Sequence, residues 1–242
     1  MSYWLRTFAL LPVLAAQAIS ARRRALILPE AAGERSGVTG TGPSLRLLIS
    51  GDSAAAGVGA KHQDQALLGQ LVSALSDRHT VRWRLEARSG ATTQSTIAHL
   101  MKQAADDVDV ATTSLGVNDI TSGVGLRQWL ARQAELRDLL RARFRCRLIL
   151  VAGLPPVHLF PGLPQPLRWH LGLRARQFDS ALAQQLANEP DCAHVPLNVS
   201  DDASEMAEDG FHPGPSIYSL WAGLVAEEVQ KSFATPRMAR HG

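Results

Sequence analysis

The chain has 242 residues, 45% of them hydrophobic and 19% charged. That balance gives enough apolar mass for a real core and excludes a disordered protein. The formal net charge is only +3, and the basic residues are mostly scattered arginines, with Lys61, Lys102 and Lys231 the only lysines. No basic stripe interleaved with aromatics exists for a nucleic acid, so none is expected as a partner.

Residues 8–19 are apolar, and Ala16-Gln17-Ala18 has the small-residue form of a cleavage site. If residues 1–18 act as a signal peptide, the protein is periplasmic or secreted. Arg22-Arg23-Arg24 follow at once and oppose translocation. The favoured expectation is an uncleaved cytoplasmic or membrane-surface segment, with peripheral membrane contact through residues 8–24. Residues 33–44 are Gly-rich and read as a linker. The expected organisation is an N-terminal segment and linker at 1–44, one domain at 45–234, and a tail at 235–242.

Within the domain, strand patterns at 45–50, 81–87, 108–115, 147–152 and 193–198 alternate with helical patterns at 63–77, 94–106, 125–143, 167–188 and 216–233. The last helix carries Ile217, Leu220, Trp221, Leu224, Val225 and Val229 as a core-facing stripe. Arg137, Arg141, Arg143, Arg145 and Arg147 lie on and after the third helix, as a solvated face. Alternation of this kind predicts a parallel sheet covered on both faces, with all strand C-termini at one edge, where ligands bind.

Four short segments fall at that edge. Ser53 in Gly51-Asp52-Ser53 follows the first strand, on a strand-to-helix turn that would put its N–H near a helix N-terminus. Gly90 follows the second strand and Asn118-Asp119 the third. Asp209 and His212 precede the last helix. Serine needs a base to become a nucleophile. His212 is the candidate base, and Asp209, three residues earlier, can fix its tautomer. Gly90 N–H and the Asn118 amide are candidate donors to a tetrahedral oxyanion. The Pro-rich loop 153–169 supplies Leu154, Val157 and Phe160 as candidate pocket residues. Cys146 and Cys192 lie outside any Cys/His cluster, so free thiols are expected and no metal site.

Gly51-Asp52-Ser53, Gly90, Gly116-x-Asn118-Asp119 and Asp209-x-x-His212 resemble, in order, the four blocks of the SGNH/GDSL hydrolase family over about residues 45–233. The resemblance implies a flavodoxin-like three-layer α/β/α sandwich with a central, mostly parallel five-stranded sheet. It implies Ser53 as nucleophile, His212 as base and Asp209 as its partner. Ser53 N–H, Gly90 N–H and Asn118 would form the oxyanion hole, with no metal or cofactor. The chain departs from the pattern at Ala54-Ala55-Ala56, where bulkier residues often follow the family serine. The expected activity is hydrolysis of short- to medium-chain carboxylic esters, lysophospholipids among them, with small-molecule esters as substrates. The alternatives are a carbohydrate acetyl esterase or acyltransferase, and a flavodoxin-like binding module. Gly57 and Gly59 make no phosphate-cradling motif, which weighs against the module.

Overall fold

A computed structural model describes residues 3–197 and 202–234. Strands β1 (Ser36–Thr39), β2 (Ser44–Gly51), β3 (Thr80–Ala87), β4 (Val110–Ser114), β5 (Leu148–Ala152) and β6 (Cys192–Val195) form one sheet in the order β1-β3-β2-β4-β5-β6. The five strands β2 to β6 are all parallel, in register through pairs such as Leu45↔Val81, Thr112↔Leu150 and Leu150↔Ala193. Their order is the doubly wound, flavodoxin-like one, and its switch point lies between β2 and β4. Residue 198 of the expected fifth strand and the tail 235–242 lie outside the described residues.

The sixth strand, β1, comes from the stretch expected as a linker. It pairs antiparallel with β3 at Ser36↔Arg84 and Val38↔Arg82. Its composition hides it, because Gly37 lies under the Trp83 ring, where a Cβ would come within 2.5 Å. A residue chosen for that contact looks like a turn glycine in sequence.

The helices are α1 (Tyr3–Arg24), α2 (Leu67–Ser76), α3 (Thr93–Leu100), α4 (Val117–Thr121), α5 (Leu126–Phe144), α6 (Leu167–Leu186) and α7 (Pro215–Ala234). Leu45, Leu47 and Ile49 of β2 pack towards α2 and α7, while Leu48 packs with Ile97, Trp129 and Phe178 on the other face. Burial on both faces explains the apolar runs of β2 and β5, whereas β3, beside the edge strand, alternates with Arg82, Arg84 and Glu86. On α7, Ile217, Trp221, Val225 and Val229 are buried, but Leu220 is 48% exposed. Tyr218, Ala222 and Ala226 complete the buried face instead.

Two further expectations change. Helix α3 stops at Leu100, where Lys102 N–H on His99 O and Gln103 N–H on Leu100 O tighten into a turn, and the chain beyond enters ion pairs, Asp106 with Arg84 at 3.3 Å and Asp107 with Arg46 at 3.2 Å. The arginines of α5 are not a uniformly solvated face. The Arg137 side chain is 1% exposed and meets Glu189 at 2.6 Å, and Arg141 meets Asp191 at 2.7 Å. Helix α1 packs against α6. Leu14 is buried, Gln17 Nε2 donates to Gln165 O at 2.6 Å, and Gln17 Oε1 accepts from Leu167 N–H at 3.0 Å.

Candidate active site

Strand β2 delivers Ser53 to the switch point. A Cβ on Gly51 would strike the Ser114 carbonyl, so β2 and β4 meet there through bare backbone. Asp52 N–H donates to that same carbonyl at 3.1 Å, and Asp52 Oδ1 accepts from Ala54 N–H at 3.1 Å. Burial of the Asp52 carboxyl pushes it up to about 7, against the pull of the Ala54 and Ala55 amides. The chain then winds through an irregular turn, with Ala56 N–H on Asp52 O at 2.9 Å and Val58 N–H on Ser53 O at 3.0 Å. No regular helix begins at Ser53, contrary to the expected helix N-terminus; α2 starts only at Leu67. Gly57 and Gly59, at φ +86° and +101°, leave the right-handed helical region and stop one from propagating. The turn is held from outside. Tyr218 on α7, fully buried, donates to Val58 O at 2.7 Å and sits 3.0 Å from Ala54 O.

The loop before α7 brings the base to the serine. His212 Nε2 is 2.8 Å from Ser53 Oγ, across 159 positions of chain. His212 Nδ1 is 2.5 Å from Asp209 Oδ2. The other carboxylate oxygen, Oδ1, accepts from Phe211 N–H at 2.9 Å and His212 N–H at 3.0 Å. Burial raises the Asp209 carboxyl, but the His212 ring and these two amides outweigh it and hold it below the usual carboxylate range. An ionised Asp209 fixes the proton on Nδ1 and leaves Nε2 as the acceptor for Ser53 O–H. The Asp209 side chain is 1% exposed and that of His212 is 26% exposed, so the dry end of the pair is the carboxylate.

Gly90 and Asn118 stand at the same edge and are tied together. Asn118 Nδ2 donates to Ala91 O at 3.0 Å, which leaves its second N–H for another acceptor. Gly90 has φ +76° with open space where a Cβ would point, so the backbone, not crowding, asks for glycine. Among the described residues neither Ser53 N–H nor Gly90 N–H has an acceptor. Behind them Asp119, completely buried, accepts from Thr93 N–H and Oγ1–H at 3.0 Å each, and Gln133 Nε2 donates to Thr93 Oγ1 at 3.1 Å. Burial raises the Asp119 carboxyl. Sequence reading saw Asp119 only as part of a motif. Thr93 and Gln133 give no signal without the fold, and Tyr218 hides inside an apolar helical stripe.

Leu154, Val157 and Phe160 do not line an open pocket. All three are buried in the core on the α5–α6 face, and Leu154 packs over Gly116. Phe160 meets Phe211 edge-on at 6.5 Å, which braces the loop carrying His212. The loop is therefore anchored inward by these three residues, while Pro161 and Pro164 stay at the surface. Two surface cavities, of about 390 and 680 Å³, include neither Ser53 nor His212.

Among the described residues one group has metal-ligand spacing, Glu189, Asp191 and Cys192. Arg137 and Arg141 already occupy its carboxylates, so cations of the chain itself fill that position. Both cysteines are free, and burial pushes each thiol up to about 12.

An uncharged nucleophile on a base with a buried carboxylate behind it, beside unused N–H donors, is suited to acyl transfer. Solved structures share the fold. A lipolytic protein of the G-D-S-L family from Veillonella parvula superposes with a TM-score of 0.61 at 14% identity, covering 76% of this chain and 97% of that one. The psychrotrophic esterase EstA from Pseudoalteromonas sp. gives 0.60 at 16% identity, over 78% and 99% of the two chains. A family two carbohydrate esterase from Clostridium thermocellum gives 0.59 at 14% identity, over 84% and 67%. No curated protein matches the chain in sequence. Residues 49–220 match the GDSL-like lipase/acylhydrolase family, a span from β2 into α7 that holds every candidate site residue. The chain belongs to the GDSL-like lipase/acylhydrolase family.

Proposed function

We propose that the protein is a serine esterase that hydrolyses short-chain carboxylic esters through an acyl-enzyme. The observation that carries this is the unbroken line from Ser53 Oγ to His212 to Asp209, at 2.8 and 2.5 Å. Ser53 Oγ attacks the ester carbonyl carbon as its proton passes to His212 Nε2. Ser53 N–H, Gly90 N–H and the free Asn118 N–H stabilise the oxyanion. The imidazolium then protonates the alcohol oxygen as the carbonyl–oxygen bond breaks. Water, giving its proton to His212, attacks the acyl-Ser53 ester and restores the serine. No step calls for a metal or cofactor.

Acetyl to butyryl esters are the first substrates to test, with Leu154, Val157 and Phe160 turned into the core. Ser53→Ala tests the reading. It should abolish turnover of p-nitrophenyl acetate and butyrate and remove fluorophosphonate labelling while the protein stays folded; turnover near the parent rate would sink the assignment. The likeness to a family two carbohydrate esterase makes an acetylated sugar the second reading. Mass spectrometry of products formed with added sugar acceptors would separate transfer from hydrolysis.

The N-terminal helix supports peripheral contact with an anionic membrane through residues 8–24. Leu11, Val13 and Ile19 are exposed beside the exposed Arg22, Arg23 and Arg24. Amphipathic surface with basic residues binds such interfaces. Among the described residues no helix is long and apolar enough to cross a membrane. The full chain should co-sediment with phosphatidylglycerol vesicles and less with phosphatidylcholine ones. Equal absence from both pellets would end this part of the proposal.

A further inference from the structure

The segment between α1 and β1 grips both loops that carry the unused backbone donors. Glu30 Oε1 accepts from Ser89 N–H at 2.7 Å, and Glu30 Oε2 accepts from Arg35 Nη1–H at 3.0 Å. Arg35 Nη2 donates to Ala87 O, and Leu85 N–H donates to Arg35 O at 2.7 Å, so the pair is seated on β3. One residue along, Ala31 O accepts from Gln63 Nε2 at 3.1 Å, and the same nitrogen lies 3.1 Å from Ala56 O in the turn after Ser53. Consecutive residues therefore hold the Ser89-Gly90 loop and, through Gln63, the serine turn.

We propose that Glu30 is a positioning residue for the oxyanion site, fixing Gly90 N–H relative to Ser53 N–H; this rests on the esterase reading above. Packing cannot do this at Gly90, which has no side chain and faces open space at φ +76°. The loop is otherwise held by Arg88 N–H on Gly51 O and Ala91 N–H on Arg88 O, both 3.1 Å, and by Asn118 Nδ2–H on Ala91 O at 3.0 Å, on either side of the Ser89–Gly90 peptide. The Glu30 bond to Ser89 N–H is the contact nearest that peptide plane. A hydrogen bond to an ionised acceptor is roughly twice as strong as a neutral one. A bare carboxylate near a forming oxyanion would oppose it, and Arg35 offsets that charge. Glu30 thus acts through geometry and not through its field. Small displacements of a donor are costly, with about 1 Å able to remove on the order of a hundredfold in rate.

The test compares Glu30→Ala, Glu30→Gln and Ser53→Ala in the full chain. Readouts are kcat and KM for p-nitrophenyl acetate, fluorophosphonate labelling rate, and Tm. Glu30→Ala should lower kcat and labelling together by roughly tenfold or more, short of the ~10²–10³ for deleting a donor outright. KM should stay within about twofold, since ground-state binding is untouched. Tm should fall by no more than about 4 °C, as for a part-exposed pair. Glu30→Gln keeps an amide oxygen for Ser89 N–H and should recover most of the rate. An unchanged kcat in Glu30→Ala overturns the proposal. So does a Glu30→Gln protein as slow as Glu30→Ala. Turnover surviving in Ser53→Ala would overturn the esterase reading first, a distinct result.

Discussion

Replacing Asp209 by Asn changes charge without changing shape, and the consequence can be followed atom by atom. The amide oxygen can keep the bonds from Phe211 and His212 N–H that Oδ1 now accepts at 2.9 and 3.0 Å. The amide nitrogen then takes the place of Oδ2, 2.5 Å from His212 Nδ1, and brings hydrogens to a position that needs an acceptor. Nδ1 must accept in turn, so the ring proton moves to Nε2. That proton points at Ser53 Oγ, 2.8 Å away, and the imidazole can no longer receive the serine's. The same tautomer error in a Ser-His-Asp enzyme costs about 10⁴ in kcat. At about 1.4 kcal/mol per decade this is roughly 5.5 kcal/mol of barrier. D209N should show a loss of that order in initial rates with p-nitrophenyl acetate at neutral pH, with KM little changed. A D209N kcat within about tenfold of the parent would refute the relay. Stability gives an independent readout. Asp209 is held below the ordinary carboxylate value in the fold. Its contribution is present above the unfolded value, about 3.9, and is lost as pH falls through the lower folded value. The D209N protein should lack that acid-side loss in a Tm-versus-pH series.

Asn118→Ala should lower kcat by roughly 10²–10³ with KM nearly constant, as for other side-chain oxyanion donors, and an unchanged kcat would remove Asn118 from the hole. Asp52 titrates the opposite way to Asp209. Its folded value is raised to about 7, so the fold binds a proton that the unfolded chain has released, and stability falls as pH rises from about 3.9 towards 7. Asp52→Asn should flatten that decline in chemical denaturation; a decline as steep as the parent's would show that another group causes it.

The parallel core of the sheet was legible in sequence because β2 and β5 are short apolar runs, β3 is a β-rich alternating stretch, and periodic helical stretches separate the strands. The antiparallel edge was not, since Ser36-Gly37-Val38-Thr39 owes its conformation to the Trp83 ring on a distant strand. Serine, histidine and aspartate could be picked out because chemistry restricts the residue types. Their supports could not. Tyr218 reads as one more core aromatic, and Gln63 and Glu30 read as ordinary polar residues until their partners, 32 and 59 positions away, are brought beside them. The Pro-rich loop misled in the other direction. Its apolar residues suggest a pocket, but Leu154, Val157 and Phe160 turn into the core while Pro161 and Pro164 stay exposed.

Tyr218 has a mechanical consequence. It stands six residues after His212, in the first turn of the helix into which the His212 loop leads, and its hydroxyl is bonded into the turn that follows Ser53. Nucleophile and base are therefore mounted on one bracket. Helix α7 is itself a core helix, with Trp221, Val225 and Val229 buried against the sheet. The relay is thus anchored to the main core, and on heating hydrolysis should be lost together with the packing of that core.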